Sequence, residues 1–174
     1  NPRPRDALIV TQEEEFAYPI PDNDRARACH LWFFEAGLPG YAWYVPKAGD
    51  YANVGVGGAL AKLQARGDTI QRHWGLLTAR LGELGLVTDY DYRPKGHAYY
   101  LRRPNTQLQR GRAFVVGDAA GLATTDMGEG IAPAIHSGLR VAESIASGGD
   151  VDVRGIRRWS QPPLIGRLLS MAYR

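Results

Sequence analysis

The sequence predicts an α+β fold, a mostly antiparallel sheet with covering helices followed by a separate strand–loop–helix unit. Three observations predict it. Short aromatic and apolar runs, separated by four-residue turns, fill residues 29–58, as antiparallel hairpins require. One amphipathic stripe at helical spacing follows at residues 68–85. The pattern then changes to a short continuous apolar run, a glycine-rich loop and a second helical stripe between residues 112 and 147.

Residues 1–28 are polar and punctuated by Pro2, Pro4, Pro19 and Pro21. Ala7–Phe16 reads as a strand whose pattern Glu13, Glu14 and Glu15 interrupt. Cys29–Ala36, Tyr41–Pro46 and Tyr51–Gly58 are the three hairpin runs, joined by turns at Gly37–Gly40 and Lys47–Asp50. Asp68 is the expected N-cap of the first long helix, with Gln71 three residues on as in a capping box. Ile70, Trp74, Leu77, Leu81 and Leu84 form its stripe, and Gly85 is a natural stop. Val87–Tyr92 and His97–Leu101 read as further short strands. Arg112–Gly117 reads as a strand buried on both faces. The second long helix is expected from Ile131 to Ser147, packed through Ile131, Ile135, Gly138, Ala142 and Ile145 and ended by Gly148-Gly149. A further helical stretch, about Val153–Ser160, precedes a Pro162-Pro163 break and a last apolar-basic piece. The expected division is 1–108, sheet and helix; 109–148, the strand–loop–helix unit; and 149–174, a helical tail.

Composition narrows the function classes. The 174 residues are 44% hydrophobic and 22% charged, a globular balance. A chain of this length buries roughly 70% of its unfolded surface, so it needs no covalent staples. The single cysteine, Cys29, excludes an intrachain disulfide and a cysteine-based zinc site, and it reads as a buried strand residue. His30, His73, His97 and His136 stand too far apart in sequence for an HxxxH metal pair, so no metal site is expected. The net charge is +3, and the arginines are spread along the chain, which argues against nucleic acid as partner. No apolar run reaches the roughly 18 residues of a membrane span. The chain begins with Asn1, and Met127 and Met171 are its only methionines, so a processed form or a piece of a longer protein is expected.

The most informative stretch runs from Phe114 to Ile131, FVVGDAAGLATTDMGEGI. A strand ending in Gly117-Asp118 places a carboxylate where ligand hydroxyls reach it. Small residues in the loop admit close approach to the backbone. The helix opening at Gly128-Glu129-Gly130 offers N–H groups and the positive end of a dipole. A polyol attached to an electron-rich ring uses all three features. The stretch resembles the second FAD-binding motif of geranylgeranyl reductase and FixC-like flavoproteins, a group that also holds aromatic hydroxylases and flavin-dependent halogenases. The resemblance implies FAD as cofactor, with Asp118 on the ribitol and Gly128, Gly130 and Ile131 beside the ring. It extends the cofactor contacts to Gly117, Ala120, Gly121 and Glu129. Members often carry a proline-containing segment before GEG; here Thr124-Thr125-Asp126-Met127 stands there. Asp126 either brings a carboxylate beside the flavin or points to solvent, the second being preferred.

Leu38–Pro46 (LPGYAWYVP) followed by Asn53–Gly57 (NVGVG) is similar to the GY-x-W-x-(F/V)-P…N-V-G-x-G stretch of the same reductases. Tyr41, Trp43 and Val45 share one strand face. The resemblance makes Tyr41, Trp43 and Pro46 contacts for an apolar, elongated substrate, and a plain aromatic core is the competing reading. Gly55-Val56-Gly57 mimics half of a dinucleotide fingerprint, but Leu60 replaces the third glycine, so these are strand glycines. Ser137 lies in no GxSxG elbow, and His136 is a packing or surface residue. No acid, base or electron donor is named by any motif. The resemblance therefore implies an FAD-dependent oxidoreductase that reduces an isoprenoid-like alkene, cytoplasmic and near a membrane where its substrate is a prenyl lipid. The alternatives are a flavin monooxygenase or halogenase, the latter needing a lysine among Lys47, Lys62 and Lys95, or an inactive fragment. The family's first GxGxxG is absent, so an N-terminal half of the FAD domain is the expected missing partner and FAD binding by this chain alone is expected to be weak or nil.

Overall fold

A computed structural model describes residues 3–104 and 106–173. In chain order the elements are β1 (Leu8–Ala17), α1 (Asp24–Arg27), β2 (His30–Phe33), β3 (Gly40–Lys47), β4 (Tyr51–Ala59), α2 (Leu60–Ala65), α3 (Ile70–Glu83) and β5 (Lys95–Tyr100). Then come β6 (Gln109–Arg110), β7 (Ala113–Phe114), α4 (Gly117–Ala120), α5 (Ile131–Ser147) and α6 (Pro163–Tyr173). The fold is α+β with a mostly antiparallel sheet, as expected. Packing groups the chain into two compact units, residues 10–98 and residues 1–9 with 99–174. The sequence reading placed residues 1–9 and 99–108 with the sheet; packing groups them with the strand–loop–helix unit.

In the unit of residues 10–98, the sheet order is β2-β3-β4-β1-β5. β2 pairs antiparallel with β3, and β3 with β4, in a register that sets Ala42 opposite Val56, Trp43 opposite Gly55 and Tyr44 opposite Val54. Alternation sends Ala42, Tyr44, Val54 and Val56 to one face, where they form a buried cluster with Trp74, Leu77 and Leu81 of α3. Tyr44 is fully buried, donates its hydroxyl to Ala26 O at 3.0 Å, and its phenol is pushed up by burial.

The N-cap of α3 is Thr69, one residue later than expected: its Oγ1 accepts the Arg72 N–H at 3.3 Å. The Asp68-Gln71 box therefore does not form. Asp68 instead accepts the Thr69 N–H at 2.7 Å and lies 2.9 Å from Nε2 of the buried His73. Gly85 ends the helix at φ +66°, a left-handed conformation that suits glycine. Val87–Tyr92 is not a strand. Its side chains serve packing rather than a ladder, with Tyr90 stacked on Phe16 at 4.0 Å and Tyr92 edge-on to Trp74. Cys29 lies outside β2 and is exposed, against the expected buried strand position.

The unit of residues 1–9 and 99–174 has a smaller core of Leu108, Ala120, Leu122 and Ile156, flanked by Val151 and Val153. The strand expected over Arg112–Gly117 is reduced to β7, paired antiparallel with β6 around a turn at Gly111 (φ +59°). Val115 and Val116 are exposed, so the run is not buried on both faces. Residues 153–160 are not helical, and the helix lies beyond them in α6. Pro163 opens α6 rather than only breaking structure, because a first-turn residue needs no N–H donor.

Candidate functional site

α5 runs over the expected bounds, but it packs through the opposite face. Pro133, Ser137, Val141 and Ser144 are buried, whereas Ile131, Ile135, Leu139 and Ile145 are exposed. The reason is steric. Gly117, at φ +52°, comes so close to α5 that an added Cβ would lie 3.1 Å from the Ala134 Cβ. Only small side chains fit there. Ser137 also bonds the turn, accepting the Gly117 N–H at 3.0 Å and donating to Ala134 O at 3.0 Å.

This clamp fixes α4, the single helical turn that carries Asp118, Ala120 and, as its cap, Gly121 (φ +68°). Asp118 is exposed and Ala120 buried. The helix-start loop returns to the same place. A Cβ on Gly130 would lie 3.1 Å from Asp118 Oδ1, and one on Gly128 (φ +65°) would lie 2.6 Å from the Tyr99 hydroxyl. The structure thus brings Gly117, Asp118, Gly128 and Gly130 together around the start of α5. Ile131 begins the helix with its side chain 76% exposed. Glu129 accepts the Ala132 N–H at 2.7 Å, so one first-turn donor is already used.

Thr124 and Ser137, which carried no role in the sequence reading, and Asp126, which was expected beside the flavin or in solvent, hold this loop. Thr124 is fully buried; its N–H donates to Glu129 O at 2.9 Å and its Oγ1 accepts the Glu129 N–H at 3.0 Å. Asp126 is also fully buried. It does not point to solvent, the preferred expectation, but accepts the N–H groups of Met127, Ser160 and Gln161 at 3.0, 3.0 and 2.9 Å. A clue was available for Ser137: it repeats with Pro133, Val141 and Ser144 at helical spacing, a small-residue face that a hydrophobicity ranking passes over.

In the unit of residues 10–98, Tyr41 and Trp43 share the sheet face away from α3. Their rings lie 5.7 Å apart, Tyr41 meets Phe33 at 5.3 Å, and Trp43 Nε1 donates to Asn53 Oδ1 at 2.7 Å. Gly55 is a strand glycine because the Trp43 indole occupies the space its Cβ would take. Pro46 falls on the opposite face, with Ala42 and Tyr44, and does not join this pair. Among the described residues, no group of three or more His, Cys, Asp or Glu is placed to hold a metal ion.

No family model and no curated protein matches the sequence. Solved structures do match the fold. A geranylgeranyl bacteriochlorophyll reductase-like protein from Thermoplasma acidophilum superposes with a TM-score of 0.61 at 21% identity, over 97% of this chain and 39% of that one. CmlS, a flavin-dependent halogenase, superposes with a TM-score of 0.50 at 16% identity, over 96% of this chain and 29% of that one. The chain therefore shares a fold with these proteins and spans well under half the length of either.

Proposed function

We propose that this chain is the C-terminal portion of an FAD-dependent oxidoreductase related to geranylgeranyl reductases, acting on an apolar, isoprenoid-like alkene in the cytoplasm. One observation carries the reading: Asp118 meets Gly130 at the start of α5, in a cradle that a single methyl group would crowd. That fits a polyol-bearing cofactor pressed against backbone. Gly117, Asp118, Ala120, Gly121, Gly128, Glu129, Gly130 and Ile131 would hold it. When bound, FAD supplies the hydride-transfer chemistry.

The chain's own residues bind and orient. Asp118 accepts hydrogen bonds from ribitol hydroxyls, and Ser137 fixes the turn that aims it. Glycine at 128 makes room for the Tyr99 hydroxyl and glycine at 130 for the Asp118 carboxylate, so both side chains reach the start of α5. Tyr41 and Trp43 offer the apolar wall for substrate, and Pro46 is left out because it lies on the other face. The exposed Val115, Val116, Ile131, Ile135 and Leu139 support the presence of a further part of a flavin domain, since such apolar surface mostly marks an interaction site. The halogenase alternative is weaker at Lys47, which ends the strand carrying Trp43 but is ion-paired with Glu15.

The test is an FAD titration, followed by visible absorbance, of this chain and of the longer protein that carries it. Flavin in the longer protein and little in the chain alone is expected. Asp118→Ala in the longer protein should weaken FAD about tenfold or more, the worth of hydrogen bonds to a charged group. No flavin in either overturns the reading. Prenyl alkenes that fail to oxidise the reduced flavin would remove the substrate assignment alone.

A further inference from the structure

A second polar side chain enters the cradle around Asp118 and Gly130, and no motif named it. A Cβ on Gly128 would lie 2.6 Å from the Tyr99 hydroxyl and 3.4 Å from the ring carbon that bears it. The hydroxyl end of the half-buried Tyr99 therefore meets bare backbone at Gly128. Glycine is required there twice, by its φ of +65° and by the phenol beside it. Two residues on, Asp118 Oδ1 holds the corresponding place at Gly130.

Backbone contacts put the phenol there. Residues 99–102 run beside the glycine-rich loop. Leu101 pairs with Ala123 in a parallel bridge, and the Arg102 N–H donates to Ala123 O at 2.8 Å. The Leu101 N–H donates to Ala7 O at 2.9 Å. Tyr100 packs on the near end of the loop, where a Cβ on Gly121 would lie 3.5 Å from the Tyr100 Cβ. At the far end, the Gly128 N–H closes on Thr124 O at 3.0 Å. Tyr100 and Tyr99 thus brace the two ends of one loop, and the Tyr99 hydroxyl arrives at Gly128 from a segment already tied to that loop.

The two side chains have complementary chemistry. An ionised carboxylate only accepts hydrogen bonds, whereas a tyrosine hydroxyl also donates. Asp118 suits the hydroxyls of a polyol. The residues assigned above to hold the cofactor carry no side-chain donor, and Tyr99 supplies one.

We propose that Tyr99 is a further cofactor-contacting residue, its hydroxyl donating a hydrogen bond to an acceptor atom of the flavin ring. The proposal rests on the flavin reading above and adds to it a consequence for redox balance. Reduction makes the ring electron-rich, and a hydrogen bond to a charged acceptor is stronger than one to a neutral acceptor. Tyr99 therefore favours the reduced form over the oxidised form and raises the reduction potential.

The experiment compares the longer protein with its Tyr99→Phe variant. The variant keeps the ring against Gly128 and removes only the donor. Three readouts are taken: FAD titration by visible absorbance, reductive titration against a dye of known potential, and the thermal melt without FAD. FAD affinity is expected to fall about threefold to tenfold. The reduced form should lose more than the oxidised form, so the reduction potential falls. Flavin bound equally well by both proteins, at one potential, overturns the proposal and leaves the flavin reading standing. A lower FAD-free melt with an unchanged potential also overturns it, because the hydroxyl then serves the loop alone. Absence of flavin from the unaltered longer protein overturns both.

Discussion

Leu81 and Asp126 are both fully buried, and they hold their surroundings by different physics. Leu81 belongs to the unit of residues 10–98, where a helix stripe covers the apolar face of a sheet. Any shape-compatible apolar side chain serves there, because hydrophobic burial has no direction. Asp126 belongs to the other unit, whose apolar core is small. There, backbone segments without regular secondary structure are tied by directional bonds: Asp126 to residues 160 and 161, Ser137 to Gly117, Arg102 to three carbonyls. The second arrangement fixes the chain closely and leaves apolar surface outside, on α5 and α6. The second unit is thus held by directional bonds to backbone, the first by an apolar face under a helix.

Four measurements break or sharpen this contrast. The largest effect is expected from Leu81→Ala, which opens a cavity between α3 and the sheet and should cost about 3–4 kcal/mol in denaturant unfolding. Its amide exchange should rise in β3, β4 and α3. If exchange rises first in residues 153–161 instead, the apolar platform is not what holds the first unit. Asp126→Ala removes three accepted bonds and should cost about 2–3 kcal/mol. Exchange should rise at Ser160 and Gln161, and an unchanged rate there would show that the clamp is dispensable.

Gly55→Ala should cost about 1–3 kcal/mol by overpacking against Trp43. Adding Trp43→Phe should recover part of it; simple additivity would mean that the ring and the glycine are not in contact. The smallest effect concerns acid. The Asp68 carboxyl is held below its ordinary value of 3.8, first by the Thr69 N–H and then by His73 and Arg72. A carboxyl lowered by folding stabilises the native state in full above that ordinary value. The contribution fades as pH falls through the lowered folded value. Asp68→Asn should therefore flatten the stability curve below about pH 4, read by denaturant unfolding across the acid range.

Much of the fold was legible in the residues. The aromatic runs became β2, β3 and β4, and the α3 stripe Ile70, Trp74, Leu77 and Leu81 is buried as its spacing requires. Ile131 and Ser147 bound α5, because glycines flank both ends. The face of α5 was misread because hydrophobicity ranks isoleucine above serine. What packs there is chosen by how closely Gly117 approaches, a distance no local pattern contains. The loop glycines of the candidate site stood out as a motif. The supporting roles of Asp126 and Ser137 did not, since each bonds backbone 20 or more residues away.

The tail shows where local information stops. Residues 153–160 have a helical look, yet their carbonyls and amides are claimed by Arg102, Thr125 and Asp126. Those bonds fix the segment in a non-helical path and move the helix to α6. By itself the sequence determined the α+β class, the three hairpin runs, the two long helices and the glycine-rich loop, since period and turn chemistry are local properties. Only the tertiary structure decided which helix faces are buried, where the last helix lies and which polar groups hold the loop, because these depend on partners distant in sequence that close packing brings together.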